Sequence, residues 1–292
     1  MADPAPGPSG GPELVASFFT LSGAGFGEPP RHRFEQRCEA AAAAGFSGVG
    51  MHVDDLARTV ASGLGLAGMR AVLGGTGLRL VEIEFLAGWA LDTDADSTTR
   101  AVAATMTGIE AVAASLGGRH VSAGEMRPGE LELDAAAARL AGLADRLAER
   151  GLLIALEAFP WSALPDVGTA VELLRRAGAA NAGLMVDVWH FFNGGASLDV
   201  LDDLPGAGVA AVQLNDGPRV HADFMREARA TRRLPGSGDL DVVGLVRAVQ
   251  EAGFTGPWCV EVNTPEFREL PVEAAAKAAA DAARDVLDAA RR

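Results

Sequence analysis

A chain of 292 residues exceeds the commonest domain size, yet closed α/β barrels routinely run to about 250 residues as one domain, so length alone asks for one large core. Hydrophobic residues make up 49% of it and glycines number 36, a composition that excludes a disordered chain. The formal charge of −14, with no basic block to relieve it, opposes the counterion release on which nucleic-acid binding depends, so polyanionic partners are disfavoured.

Residues 1–12 (MADPAPGPSGGP) carry neither a basic n-region nor an apolar h-region, so they read as a flexible leader ahead of a barrel domain over 13–292. From there short apolar runs alternate with helical stretches. The expected strands are LVASFF at 14–19, FSGVGM at 46–51, LRLVEIEF at 78–85, GRHVSA at 118–123, LLIALE at 152–157, AGLMVD at 182–187, VAAVQL at 209–214 and WCVEV at 258–262. Several are almost continuously apolar, as a parallel strand buried on both faces requires. Helices are expected over 34–44, 97–116, 134–150, 166–177, 241–252 and 272–290. Gly45, Gly117, Gly151, Gly178 and Gly253 fall just after five of them, where a left-handed residue is favoured. The alternation predicts a single (β/α)8 barrel, and the lack of a GxGxxG turn after the first strand speaks against a dinucleotide fold. No run of about 18 apolar residues offers a membrane span, and the expected location is cytoplasmic. Cys38 and Cys259 form no metal-spaced or CxxC pair and read as two buried reduced thiols.

In such a barrel the active site lies at the carboxyl ends of the strands. Glu157 ends one apolar run and Asp187 the next, while Gln213 and Glu261 lie near the ends of the last two. Singly, Glu157 could pair with an arginine, Asp187 could cap the following segment, Gln213 could be a satisfied core amide and Glu261 a solvated rim residue. Together, on four consecutive strands, they point to a convergent site, because an unpartnered buried carboxylate costs several kcal/mol and a cation is the simplest common partner. Oxygen ligands without sulfur suit Mn2+, Mg2+ or Co2+.

LEAFPW at 156–161, MVDVWH at 185–190, VQLNDG at 212–217, LPGSGDLD at 234–241 and WCVEVN at 258–263 resemble the xylose-isomerase-like sugar isomerase and epimerase superfamily. The resemblance implies one divalent metal held by Glu157, Asp187, the residue at 213 and Glu261, with His190 lining the site. Gln213 stands where histidine is commoner, although in some members of the superfamily, 3-dehydroshikimate dehydratases among them, an amide oxygen serves there, and an amide cannot act as a base. The implied activity is a metal-dependent isomerase or epimerase that deprotonates a sugar-like or cyclitol-like hydroxy-carbonyl substrate to an enediolate, with Glu157, Glu261 and His190 moving protons. The alternative is a dehydratase, and a non-catalytic carbohydrate-binding barrel ranks last. Apurinic endonucleases of the endonuclease IV type share the barrel but use many histidines, against five here.

Further candidates for substrate contact are His52 after the second strand, Glu84 at the end of the third, Trp161 after Glu157, and His221 and Arg233 in the long connection 219–240. Arg232 is an alternative to Arg233 as a clamp for a carboxylate or phosphate, and Trp89 reads equally as packing. The expected partner is a small polyhydroxylated carbonyl compound, with neither nucleic acid nor membrane, and a homodimer left open.

Overall fold

A computed structural model describes residues 11–92 and 96–292, and most of the expected leader lies outside the described residues. Eight strands form the framework: β1 (Leu14–Ala16), β2 (Gly48–His52), β3 (Arg79–Leu86), β4 (His120–Gly124), β5 (Leu153–Glu157), β6 (Ala182–Asp187), β7 (Val209–Leu214) and β8 (Trp258–Val260). They pair in parallel in chain order, and β8 closes back on β1. The architecture is the (β/α)8 barrel expected from the alternation.

Around it run α1 (Phe18–Ser22), α2 (Phe34–Ala43), α3 (Val53–Ala61), α4 (Leu66–Thr76), α5 (Asp96–Leu116), α6 (Leu133–Ala148), α7 (Val167–Ala177), α8 (Val188–Asn193), α9 (Phe224–Ala230), α10 (Val242–Glu251), α11 (Pro265–Arg268) and α12 (Val272–Ala290). The glycines expected at five helix ends all have left-handed φ, between 61° and 87°. In α12 the buried residues Val272, Ala275, Ala276, Ala279, Ala280, Ala283, Val286, Leu287 and Ala290 recur at helical spacing. That stripe of small side chains lets the helix lie close against α2 and α10.

β6 and β7 are buried at every position, which explains their unbroken apolar character and makes Asp187 and Gln213 the exceptions to be accounted for. Register then aligns the polar ends: His52 lies beside Glu84, Glu82 beside His120, Gly124 beside Glu157, and Asp187 beside Gln213. Gly124 has to be small, since a Cβ there would meet the Glu157 carbonyl oxygen at 2.7 Å.

Three expectations about elements need correction. The run 14–19 is a strand only to Ala16, because the Ser17 hydroxyl accepts from Phe19 N at 3.1 Å and starts a helix. Two helices, α3 and α4, lie between β2 and β3, where none was expected. The connection 219–240 contains α9 instead of being loop throughout.

Both cysteines are free and buried. Burial pushes the Cys38 thiol up to about 12 and that of Cys259 well above its ordinary value. At about pH 8 a disulfide reagent should therefore label neither thiol of the native protein within minutes and both after denaturation. Rapid native labelling would contradict this packing.

Candidate active site

A cavity of about 210 Å³ opens at the carboxyl ends of the strands. Phe19, Phe26, Phe85, Phe159 and Trp161 supply apolar walls, while Glu84, Glu157, His190, Gln213, Arg232 and Glu261 converge on it. Mostly apolar walls with a few convergent polar groups are the usual form of a small-ligand site. The long connection after β7 contributes Ala228, Arg229 and Arg232, so it covers part of the opening.

The polar groups are organised by one buried guanidinium. Arg232 Nη1 donates to Asp187 Oδ2 at 2.9 Å and to Glu261 Oε2 at 2.6 Å, and Nη2 donates to His190 Nε2 at 2.7 Å. An arginine can only donate, so His190 Nε2 accepts and the ring carries its proton on Nδ1. Asp187 also accepts from Asn215 Nδ2 at 2.7 Å and from the backbone N–H of His190 at 2.9 Å, capping α8. One carboxylate thus starts a helix and faces the site.

Arg232 reaches this position because the connection is folded back on itself. The backbones of Asp216 and Arg233 form an antiparallel bridge, with N–O distances of 3.0 and 2.8 Å. The buried Asp216 carboxylate accepts from the N–H groups of Gly217, Gly238 and Leu240, gathering the LPGSGDLD segment around itself.

Burial pushes the Glu157 carboxyl well above its ordinary value, aided by Asp187 and Glu261 and opposed by Arg232. Glu261 is raised to about 7, again chiefly by burial, with Arg232 opposing and Asp187 and Glu82 adding. Glu84 is likewise raised by burial and by its neighbours Glu82 and Glu261. His190 is driven down to about 3 by burial, with Asp187 pulling the other way and Arg232 reinforcing the fall. The imidazole is neutral near pH 7, whereas burial favours the protonated form of the carboxyls.

The donor set fits a divalent cation. One oxygen each from Glu157 and Asp187 and one ring nitrogen of His190 lie within 4.8 Å of one another. Gln213 Oε1 is buried without a hydrogen-bond donor, which leaves an acceptor free for a cation. Glu261 lies outside that triplet and is held by Arg232, Ser17 and Gln213.

Residues 38–289 match the family model described as xylose isomerase-like TIM barrel. The chain belongs to that family. A 3-dehydroshikimate dehydratase of Pseudomonas aeruginosa is 36% identical over 133 residues, which is 45% of this chain and 21% of that protein. An inosose isomerase of Halalkalibacterium halodurans is 27% identical over 139 residues, 47% of this chain and 49% of that protein. The chain therefore spans about a fifth to a half of the length of these curated relatives. Among solved structures, the IOLI protein with a binding zinc atom superposes with a TM-score of 0.84 at 19% identity, over 94% of this chain and 98% of that one.

Within this xylose isomerase-like barrel, Glu157, Asp187, Gln213, Glu261 and His190 are brought together, and Glu84, His52 and Trp161 line the same cavity. His52 Nδ1 accepts from Asp54 N at 3.3 Å and its ring packs on Phe18 and Phe19. His221 is exposed and is not among the lining residues. Arg233 is exposed too, with Nη1 donating to Ser237 O at 3.3 Å, whereas its neighbour Arg232 is buried in the cluster. Trp89 is packed, with Nε1 donating to Leu86 O at 3.2 Å. Asn215, Asp216 and Glu82 escaped the sequence reading. The first two sit in the NDG turn directly after β7, and Glu82 lies two residues before Glu84 on the same face of β3, which is the signal that could have found it.

Two outcomes follow from this electrostatic arrangement. Arg232→Met leaves Asp187 and Glu261 buried without their cation and should destabilise the metal-free protein by about 3–5 kcal/mol in urea unfolding. A change under about 1 kcal/mol would show that the pairing adds little. Glu157 and Glu261 have raised folded-state pKa values, so their contribution to stability is complete below the unfolded value near 4.5 and is lost as pH rises through the folded value, about 7 for Glu261. The Tm of metal-free protein should accordingly fall between about pH 5 and 8, and Glu261→Gln should flatten that slope. A wild-type Tm that rises across this window would refute the assignment.

Proposed function

We propose that this barrel is a cytoplasmic, divalent-metal-dependent isomerase or epimerase of a polyhydroxylated carbonyl compound, sugar-like or cyclitol-like. The observation that carries the reading is the pair of buried carboxyls, Glu157 on β5 and Glu261 just after β8, facing one cavity, both raised by burial, Glu261 to about 7. A proton removed from a carbon next to a carbonyl and returned to its neighbour, or to its other face, needs one group as base and a second as acid. These carboxyls supply that pair from strands three places apart in the ring.

Glu157, Asp187, Gln213 and Glu261 would hold the metal, with His190 beside them and its Nε2 engaged by Arg232. When bound, Mn2+, Mg2+ or Co2+ supplies Lewis acidity at the substrate carbonyl. Glu157 or Glu261 takes the proton, and the other returns it. Neutral His190, with Nε2 accepting from Arg232 and Nδ1 buried, forms part of the pocket wall beside the carboxyls. Phe159 and Trp161, whose rings pack against the His190 ring at 4.9 and 5.3 Å between centroids, keep water from that side. Arg232 balances the charge that develops on the substrate oxygens.

A dehydratase reading has its own support in the 36% identity to a 3-dehydroshikimate dehydratase and in the amide at 213. Expulsion of a β-hydroxyl needs an acid, and His190, held near 3, is a poor one, so the proton would have to come from a carboxyl. The deciding experiment incubates metal-loaded protein in D2O with inosose and with 3-dehydroshikimate. Isomerisation incorporates deuterium at the carbon next to the carbonyl, whereas dehydration releases water and forms an absorbing conjugated product. Glu157→Gln and Glu261→Gln should each lower turnover by about 10²–10⁴-fold. Full activity in metal-stripped wild-type protein would sink the metal-dependent reading.

A further inference from the structure

Glu82 is completely buried and lies outside the cavity lining, yet it touches the one candidate ligand that is an amide. Gln213 Nε2 donates to Glu82 Oε1 at 3.1 Å and to Glu261 Oε1 at 3.4 Å. β3 and β7 are four strands apart in a ring of eight, so the Gln213 to Glu82 bond crosses the barrel interior. With carboxylate oxygens as its neighbours, the amide can present only its NH2 group to them, because the carbonyl oxygen there would set lone pair against lone pair. Gln213 Oε1 is thereby turned away from Glu82 and left buried without a donor.

Glu82 is itself fixed from two other strands. Its Oε1 also accepts from Ser122 Oγ at 3.0 Å and lies 3.3 Å from His120 Nε2, while Oε2 accepts from Cys259 Sγ at 3.3 Å. A carboxylate pinned in this way can hold the amide in one rotamer. It also acts electronically: a charge-assisted bond from the amide N–H moves electron density towards the carbonyl oxygen and strengthens it as a ligand.

We propose that Glu82 is a positioning residue of the metal site, which orients the Gln213 amide so that Oε1 faces the metal and which raises the donor strength of that oxygen. This rests on the metal-dependent reading above. It explains how an amide, a weaker donor than imidazole, can serve at this position, and it gives a role to a buried carboxylate that touches no substrate.

The test is Mn2+ binding measured by calorimetry at one pH, in wild type, Glu82→Met, Glu82→Gln, Gln213→Ala and the double variants. Outer partners of metal ligands typically change affinity by about 10–100-fold, and Glu82→Met should fall in that range. Glu82→Gln, which keeps an acceptor oxygen but loses the charge, should fall between Met and wild type. In the Gln213→Ala background neither substitution should weaken binding further, an outcome that a merely structural role would not give. Should the Met variant not fold, the Gln variant decides alone in the same cycle. Affinities within about twofold of wild type, or losses undiminished in the Gln213→Ala background, overturn the proposal. Wild-type protein that binds no Mn2+ overturns the metal reading and this inference together, whereas tight wild-type binding with an unaffected Glu82 variant overturns only the inference.

Discussion

The arrangement of the site depends on the guanidinium of Arg232, buried between Asp187 and Glu261 with His190 against its second nitrogen. Three carboxylates crowded at the ends of β5, β6 and β8 would repel one another in a region that water reaches poorly, and the energy of that repulsion grows as the local dielectric falls. One planar cation with donors on two sides reduces it while leaving Glu157 without a direct ion pair to any arginine. The consequence is an uneven distribution of proton affinity. Glu261, bonded to Arg232, is raised to about 7, while Glu157, which Arg232 helps only at longer range, is raised well above its ordinary value.

That guanidinium is delivered by backbone geometry more than by its own side chain. The antiparallel bridge between Asp216 and Arg233 makes the chain locally extended, so neighbouring side chains point to opposite sides: Arg232 inwards and Arg233 outwards. Asp216 then ties the following segment to the end of β7 through three backbone N–H groups. Asn215 accepts from Trp189 N at 2.9 Å while donating to Asp187, which couples the same turn to the start of α8. The turn after β7 is therefore the joint between the barrel and its covering connection.

These details mark how far the sequence could be read. Apolar runs ending in Glu157, Asp187, Gln213 and Glu261 were legible because a polar group at the end of a doubly buried strand has few ordinary explanations. The choice between Arg232 and Arg233 was not, since two adjacent arginines in a polar stretch differ only through a pairing with Asp216, sixteen or more residues away. Likewise the sequence singled out Glu84 and passed over Glu82, although strand periodicity puts both on one face. What distinguishes Glu82 is contact with β4, β7 and β8, and no local pattern records that. α3 and α4 were missed for a simpler reason: α3 is only 9 residues long, the face of α4 is broken by Gly68, Gly74 and Gly75, and both are held in place by the barrel wall.

The substitution of an amide for the commoner imidazole at 213 has a further chemical consequence within this geometry. A histidine there would bring a further titratable ring to the site beside His52 and His190, whereas an amide brings none. His190 cannot make up the difference while its Nε2 accepts from Arg232, because that nitrogen then has no proton to give, and its Nδ1 proton is buried without an acceptor. In the proposed mechanism proton transfer therefore falls to Glu157 and Glu261, with Glu84 as a third raised carboxyl at the cavity edge. A site whose proton transfer falls to carboxyls raised by burial suits the passing of a proton between two carbons. It is less suited to reactions that require a strong cationic acid, and that constraint bears on the substrate: the group that leaves or is re-protonated must be one that a carboxyl can serve.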